Sequence, residues 1–226
     1  MRIPTTALGF SVAVLPAFGV VMFGLRRYVA WTSPRAMRLI GQDASLVYLA
    51  VLMLGVVAVS NVGALPAAAL VRPMEPIWLL VPAGLVLAPA CALLPYWTEL
   101  ALATLLHNRH RLPISGLDGA RESVTEVGAD RVRFAAIAIC TAVVEEVLFR
   151  GAVLYEVSVH RGLWLAVLAA SLVFGLHHVS FGLPAMAGKA LAGLLWAGLM
   201  LLTGLIVVPI AAHLLFQLLV LKVGSW

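Results

Sequence analysis

Apolar residues fill long uninterrupted stretches of this chain instead of alternating with polar ones. A helix that crosses a hydrocarbon layer of about 30 Å needs roughly 20 consecutive, mostly apolar residues. On this criterion the pattern predicts helices over 5–25, 44–64, 77–106, 133–157, 163–179, 184–202 and 204–222. The third stretch is long for one crossing and contains three prolines, so a kink or a split is expected there and the count is seven or eight.

The composition agrees with this pattern. Of the 226 residues, 63% are hydrophobic and 11% are charged, and the mean hydropathy is +1.06. A soluble domain has about 25% charged residues, so these charges are too few to cover a water-facing surface. The sequence therefore predicts an all-α polytopic membrane protein. We expect a single membrane domain over 1–226, with N-terminal helices in 1–130 and the catalytic core helices in 131–226.

The positive charge lies beside the apolar stretches. The formal net charge is +5, and nine of the 15 Lys and Arg residues fall in two predicted loops, 26–44 and 107–133. No basic face with interleaved aromatic residues occurs, so a nucleic-acid partner is excluded. Basic loops next to apolar helices are typical of the cytoplasmic side of a membrane, and with seven crossings both loops lie on that side.

Ionisable residues inside the predicted helices are concentrated in short runs. Each costs about 2.5–3.5 kcal/mol at the centre of a membrane, so each is a candidate for function. The runs are EEVLFR (145–150), FGLHH (174–178) and HLLFQ (213–217). Glu146 and Arg150 are four residues apart and should pair, whereas Glu145 is rotated by about 100° and lacks that partner. Three facing helices would thus line one cavity with a carboxylate, two imidazoles and a carboxamide.

Such groups suit the hydrolysis of an amide by water. A buried glutamate can act as general base towards a water molecule, and an imidazole can pass the proton to the leaving amine. A second imidazole and an amide can donate hydrogen bonds to the oxyanion, at about 3 kcal/mol per donor. The chain has no GxSG run and no HExxH run, and its three aspartates lie in predicted loops. These absences exclude the rhomboid, site-2 and presenilin classes of membrane protease.

The three polar runs resemble motifs of a known family. EEVLFRG at 145–151 resembles the EExxxR motif of the CPBP family, which comprises CAAX proteases and bacteriocin-processing enzymes and is also called the Abi family. Phe174 and His178 match its FxxxH motif. The stretch 193–217 looks like its Gly-rich helix pair, which ends in a His-xxx-Asn motif. Order and spacing agree across residues 134–221.

The resemblance implies an intramembrane endopeptidase of the kind that removes the C-terminal tripeptide from prenylated CAAX proteins. Carried over by position, it implies that Glu145 activates the water molecule and that His178 assists. Arg150, together with Glu146, would hold the carboxylates in place. His177 is interpreted as a neighbour that takes no part.

The oxyanion site implied by the resemblance consists of His213 and Gln217. Gln217 stands where the family has Asn or Asp, and its amide reaches one methylene further. This departure keeps open an alternative in which the chain is a non-catalytic membrane immunity or scaffold protein of the same family. A transporter lacks support, because we find no inverted repeat in the sequence.

Metal, substrate and location are expectations of the same kind. The family is described both as glutamic-type and as metal-dependent, and the residues favour the metal-free description. Zn²⁺ stays possible, with Glu145, His178 and His213 as its ligands. The expected substrate is a membrane-anchored or lipidated peptide or protein, such as a bacteriocin leader, a peptide pheromone or a C-terminal anchor. The expected location is a prokaryotic inner (plasma) membrane, crossed several times.

Overall fold

The computed structural model describes residues 9–18, 20–21, 34–61, 76–110 and 131–223. These residues are almost entirely helical, and no strand occurs among them. The all-α prediction is therefore confirmed for the described part of the chain. Residues 26–33 and 111–130 of the two predicted basic loops lie outside these ranges, whereas residues 34–44 are helical. The orientation that we inferred from the charges of the loops stays a prediction.

Within the described ranges, seven α-helices follow a short N-terminal π-helical turn, Phe10–Val14. We number them in chain order: α1 Pro34–Asn61, α2 Ile77–His110, α3 Arg131–Glu146, α4 Leu154–Arg161, α5 Leu163–Leu176, α6 Leu183–Thr203 and α7 Val207–Val223. A π-helical segment, Val147–Val153, joins α3 to α4 without a break. A 3₁₀ turn, Val179–Phe181, lies between α5 and α6.

The helices differ from the sequence prediction most clearly in three places. α1 begins at Pro34, ten residues before the predicted start, because proline fits the first turn of a helix and the polar residues after it do not break one. α2 continues through Pro82, Pro89 and Pro95, so the split does not occur. α5 ends at Leu176 instead of continuing to 179.

The core joins helices from both halves of the chain. α6 packs against α5 and α2, α7 packs against α2, α3 and α6, and α1 packs against α3 and the π-helical segment. Aromatic side chains that are fully buried occupy the centre: Phe149, Phe174, Trp196 and Phe216. The N-terminal helices α1 and α2 therefore pack directly against the C-terminal helices.

Two glycines bring α5 and α6 into close contact. A Cβ atom at Gly193 would lie 2.7 Å from Cα of Ser171, and one at Gly175 would lie 2.6 Å from the carbonyl oxygen of Met186. Small residues allow this approach, as is common between membrane helices. The contact fixes the turn after α5 relative to α6.

The outer surface of the described helices is strongly apolar. Trp164 on α5 is 81% exposed and Val86 on α2 is 77% exposed. Surfaces of this kind mark contact with lipid or protein. Among the described residues, two segments are both long and apolar enough to cross a membrane, Ile77–Leu106 of α2 and Leu183–Thr203, which is α6. Seven or eight crossings therefore stay a prediction.

Candidate active site

Two adjacent carboxylates stand at the C-terminal end of α3, where the π-helical segment begins. Glu145 is 3% exposed and Glu146 is completely buried. π-Helical turns are uncommon and occur frequently at functional sites, because the wider turn displaces side chains from the regular helical positions. Both carboxylates therefore lie at an irregular part of the fold, enclosed by the core.

Glu146 is held by the arginine four residues later, as the spacing predicts. Arg150 Nη1 donates to Glu146 Oε1 at 3.1 Å, and both side chains are buried. Arg150 Nη2 approaches the carbonyl oxygen of Gly193 on α6 at 3.5 Å. The guanidinium carbon also lies 4.5 Å from the ring centroid of Phe174 and 5.3 Å from that of Trp196. Arg150 thus connects the carboxylates to α5 and α6.

One imidazole lies against both carboxylates. His213 Nδ1 is 2.9 Å from Glu146 Oε1, and His213 Nε2 is 3.5 Å from Glu145 Oε2. The ring is stacked on Trp196, with 4.3 Å between the ring centroids. The structure therefore brings His213 from α7 to the two glutamates of α3.

His177 is the residue that the sequence interpretation missed. It follows the last residue of α5, and its Nε2 lies 3.3 Å from Glu145 Oε1. Its ring is stacked on Phe149, with 5.1 Å between the ring centroids. His177 thus contacts the Glu145 carboxylate, a position that we had expected for His178 alone. The adjacent pair of histidines was the signal in the sequence, but spacing alone does not tell which of the two faces Glu145.

His178 lies in the turn just after α5, so the helix ends earlier than predicted, and its ring lies beside that of Phe174, with 5.3 Å between the ring centroids. The helix ends because the chain must turn towards Gly182, which has a φ of 88°. His178 Nδ1 instead donates to the carbonyl oxygen of Phe174 at 2.9 Å. This bond satisfies a carbonyl at the end of the helix and leaves Nε2 free to accept. The ring centroids of His177 and His178 are 3.9 Å apart.

Tyr48 contributes to the site from the N-terminal half of the chain. Its hydroxyl donates to Glu145 Oε1 at 2.5 Å, across 97 positions of sequence. A tyrosine in an apolar helix carries no pattern that connects it with a distant carboxylate. Sequence reasoning therefore had no signal for it.

Gln217 is not joined to this cluster. It is half-buried on α7, one turn beyond His213, and its amide has no hydrogen-bond partner among the residues that the structure describes. Four of the six predicted site residues contact one another: Glu145, Glu146, Arg150 and His213. His178 lies beside His177, which contacts Glu145, and Gln217 is the sixth.

Several polar atoms at the site are buried without a partner in the described part of the chain. They are Glu146 Oε2, Arg150 Nε, His177 Nδ1 and His213 Nε2. Buried polar atoms are normally paired, so this concentration needs an explanation. The arrangement suits a site that hydrogen-bonds a small polar ligand.

The side chains could also hold a metal ion. Among the described residues, one ligand atom from each of Glu145, His177 and His178 lies within 4.8 Å of the others. Two imidazoles and a carboxylate form a donor set that zinc enzymes use. This set contains His177 where the sequence suggested His213.

The C-terminal part of the chain matches a known protein family. Residues 128–219 match the family described as type II CAAX prenyl endopeptidase Rce1-like. The match includes all six predicted site residues and confirms the resemblance that the three motifs indicated. No curated protein and no solved structure gives a match to the chain.

Proposed function

Because residues 128–219 match a family of membrane-embedded CAAX endopeptidases, we propose that this chain is an intramembrane endopeptidase. It hydrolyses a peptide bond of a membrane-anchored or lipophilic substrate with water activated by Glu145. One observation carries this proposal. The carboxylate of Glu145 is buried in an apolar core, yet three side chains with polar hydrogens surround it: Tyr48, His177 and His213.

Glu145 is the general base in the proposed reaction. It removes a proton from a water molecule whose oxygen attacks the carbonyl carbon of the scissile bond. The proton then passes to the amine nitrogen as the C–N bond breaks, so that a carboxylic acid and an amine leave. General bases of this kind contribute about 10²–10⁴-fold to the rate.

His213 is suited to stabilise the oxyanion. Its Nδ1 is engaged with Glu146, so the other ring nitrogen, which has no hydrogen-bond partner in the described residues, faces the reacting groups. With protons on both ring nitrogens, it donates Nδ1–H to Glu146 and Nε2–H to the negative oxygen of the tetrahedral intermediate. Arg150 and Glu146 keep the ring in place. Gln217 is the second donor in this proposal and has to turn towards the site when the substrate binds.

His177 and His178 are suited to assist the transfer of the proton. His178 accepts at Nε2, because its Nδ1 is fixed by the carbonyl oxygen of Phe174. His177 contacts Glu145 directly. We propose that His178 assists in transferring the proton to the leaving amine and that His177 holds the base.

The proposed reaction uses no metal. In the alternative, Glu145, His177 and His178 hold Zn²⁺, for which their donor atoms are a suitable set. A bound Zn²⁺ supplies Lewis-acid activation of a water molecule. Both versions require Glu145, and a chelator distinguishes them.

The substrate class follows from the surroundings of the site. Glu145 is enclosed by helices whose outer faces are apolar, so a soluble peptide would have to leave water to reach it. A peptide that is already held in the bilayer, by a lipid or by its own apolar segment, has little such cost. CAAX-type processing, maturation of a bacteriocin or another peptide, and cleavage of a C-terminal anchor all meet this condition.

A cleavage assay tests the proposal. Purified wild-type protein in detergent is incubated with a library of membrane-anchored peptide reporters, with and without chelator, beside Glu145→Gln and the control Glu99→Gln. We expect cleavage by the wild type and the control, with a loss of about 10²–10⁴-fold in Glu145→Gln. Equal cleavage by Glu145→Gln would contradict the proposal. Loss of activity with chelator that Zn²⁺ restores would support the metal-dependent version.

The non-catalytic alternative is favoured by one observation, the absence of a bond between Gln217 and the cluster in the described residues. A membrane immunity or scaffold protein needs its shape but not its general base. If expression of the chain protects cells from a bacteriocin, Glu145→Gln should then protect them equally well. Loss of that phenotype in a folded Glu145→Gln variant would exclude this role.

A further inference from the structure

Tyr48 lies outside the segment that matches the family and yet contacts the proposed base. It stands on α1, whereas the match begins at residue 128. Its hydroxyl is 2.5 Å from Glu145 Oε1, closer than the nitrogen atoms of His177 and His213 come to this carboxylate. Hydrogen bonds to ionised groups are shorter and stronger than neutral ones, so this contact has a large effect on where the carboxylate lies.

Aromatic contacts on both sides fix the ring of Tyr48. The ring is nearly parallel to that of His177, with an interplanar angle of 6° and 6.1 Å between the centroids. Phe18, from the N-terminal segment, stacks with it at 6.4 Å and 24°. The tyrosine is therefore held by its neighbours, and its hydroxyl is directed at the carboxylate before any substrate binds.

The two oxygens of Glu145 have different surroundings. Oε1 is within bonding distance of both the Tyr48 hydroxyl and His177 Nε2. Oε2 lies 3.5 Å from His213 Nε2, an atom without a hydrogen-bond partner in the described residues. Two donors thus occupy one oxygen, and the other is left on the side where a water molecule would be activated.

We propose that Tyr48 is a positioning residue for the reaction: it anchors Glu145 Oε1 so that Oε2 acts as the base. This inference rests on the proposed function. It makes α1 part of the catalytic unit, although α1 carries none of the motifs. Displacement of a catalytic group by about 1 Å can cost about 10²-fold in rate, so one hydroxyl at this position has a measurable effect.

The variant Tyr48→Phe removes the hydroxyl and keeps the stacked ring. We expect its kcat for a membrane-anchored reporter to fall at least tenfold, with a KM within twofold of wild type, because the base is misaligned while substrate contacts stay. The matched control is Tyr155→Phe. Tyr155 is also half-buried, it lies on α4, and its hydroxyl makes no hydrogen bond among the described residues. Its kcat and KM should stay at the wild-type values.

A second measurement does not depend on activity. Thermal midpoints are compared for wild type, Tyr48→Phe, Glu145→Leu and the double variant. If the hydroxyl bonds to Glu145, Tyr48→Phe lowers the midpoint by roughly 2–4 °C in the wild-type background. It changes nothing when residue 145 is leucine, since the acceptor is already gone.

The outcomes separate this inference from the proposed function. An active wild type with an unchanged kcat in Tyr48→Phe would overturn the positioning role and leave the peptidase standing. A raised KM with unchanged kcat would also overturn it, because Tyr48 would then bind substrate. If the wild type cleaves no reporter, the proposed function fails, and the positioning role fails with it. The midpoints still decide whether the hydrogen bond exists, because equal lowering in both backgrounds would contradict it.

Discussion

Two groups of buried charges in the described residues differ in what surrounds them. Around Glu145 and Glu146, side chains from α1, α5 and α7 approach to between 2.5 and 3.5 Å. Lys189 on α6 and Glu99 on α2 are also buried, at 8% and 7% exposed. The Lys189 ammonium lies 3.7 Å from the ring centroid of Phe216, and no ion-pair contact joins it to Glu99 in the described part of the chain.

The difference shows how a candidate active site can be distinguished from charged residues that only stabilise an apolar protein. Ionisable residues in membrane helices are candidates for function by default, and both groups satisfy that rule. Only the first group combines a carboxylate with several imidazoles and with polar atoms that lack a partner in the described residues. The Lys189 ammonium interacts electrostatically with Glu99 across α2 and α6, and less strongly with Glu145 and Glu146. We therefore expect changes at the first group to affect chemistry and changes at the second to affect mainly stability.

The largest expected effect is at Arg150. Arg150→Met leaves Glu146 buried without its guanidinium, which costs roughly 3–5 kcal/mol in a buried pair. Because Glu146 also holds His213, cleavage should fall together with the thermal midpoint. Arg150→Lys should restore part of both, since it returns the charge without the planar group between Phe174 and Trp196. A fully active Arg150→Met variant would contradict the proposed difference between the two groups of charges.

A smaller effect is expected at Lys189. Lys189→Met should lower stability by roughly 1–3 kcal/mol, because the Glu99 carboxylate loses the nearby cation. The double variant Lys189→Met with Glu99→Gln should recover most of that loss, since neither charge is then left alone. The measurements are thermal midpoints and kcat. A kcat that drops in the double variant while the midpoint recovers would show that this pair also takes part in the reaction.

Effects of a similar size on stability are expected from two glycine variants, which compare the two groups of charges along one helix. Gly193→Ala places a Cβ 2.7 Å from Cα of Ser171, and Gly188→Ala places one 2.9 Å from Cβ of Glu99. Both should destabilise the protein by about 1–3 kcal/mol through overpacking. Only Gly193→Ala should also lower kcat, because the Gly193 carbonyl oxygen contacts Arg150.

Gly198→Ala is the control for these two variants. A Cβ at this position meets no atom within 4 Å, and the residue lies on the same helix. It should leave kcat unchanged and stabilise α6 slightly, since alanine favours helix over glycine. Equal losses of kcat in Gly188→Ala and Gly193→Ala would remove the distinction between the two groups of charges.

The sequence predicted the parts of the site that depend on local spacing. Glu146 and Arg150 pair at a distance of four residues, and this geometry belongs to any helix. His213 was found because a polar residue in an apolar run is conspicuous. The end of α5 was predicted too late, at 179, although the apolar run ends at Leu176, because the turn after it is set by tertiary contacts. The contact of His177 was missed for a different reason, because the FxxxH motif of the resembling family assigns the role to His178.

Long-range partners were beyond the reach of the pattern. Tyr48 is one tyrosine among apolar residues, and only the packing of α1 against α3 brings it to Glu145. The start of α1 was also missed, because polar residues after Pro34 looked like a loop. The presence of the helices could be predicted from the hydrophobic pattern. The contacts between helices that are distant in sequence depend on how their side chains pack, which the pattern does not give.

The order of the residues along the chain has a consequence for biosynthesis. Glu145 and Glu146 are translated before the histidines and leave the ribosome well ahead of His213. While they enter the bilayer, Arg150 is the cation that can accompany them in the same nascent helix, because it lies one turn away. We therefore expect the buried ion pair to keep Glu146 compensated during insertion. In the finished fold the same Glu146 contacts the ring of His213, on the last helix to be made.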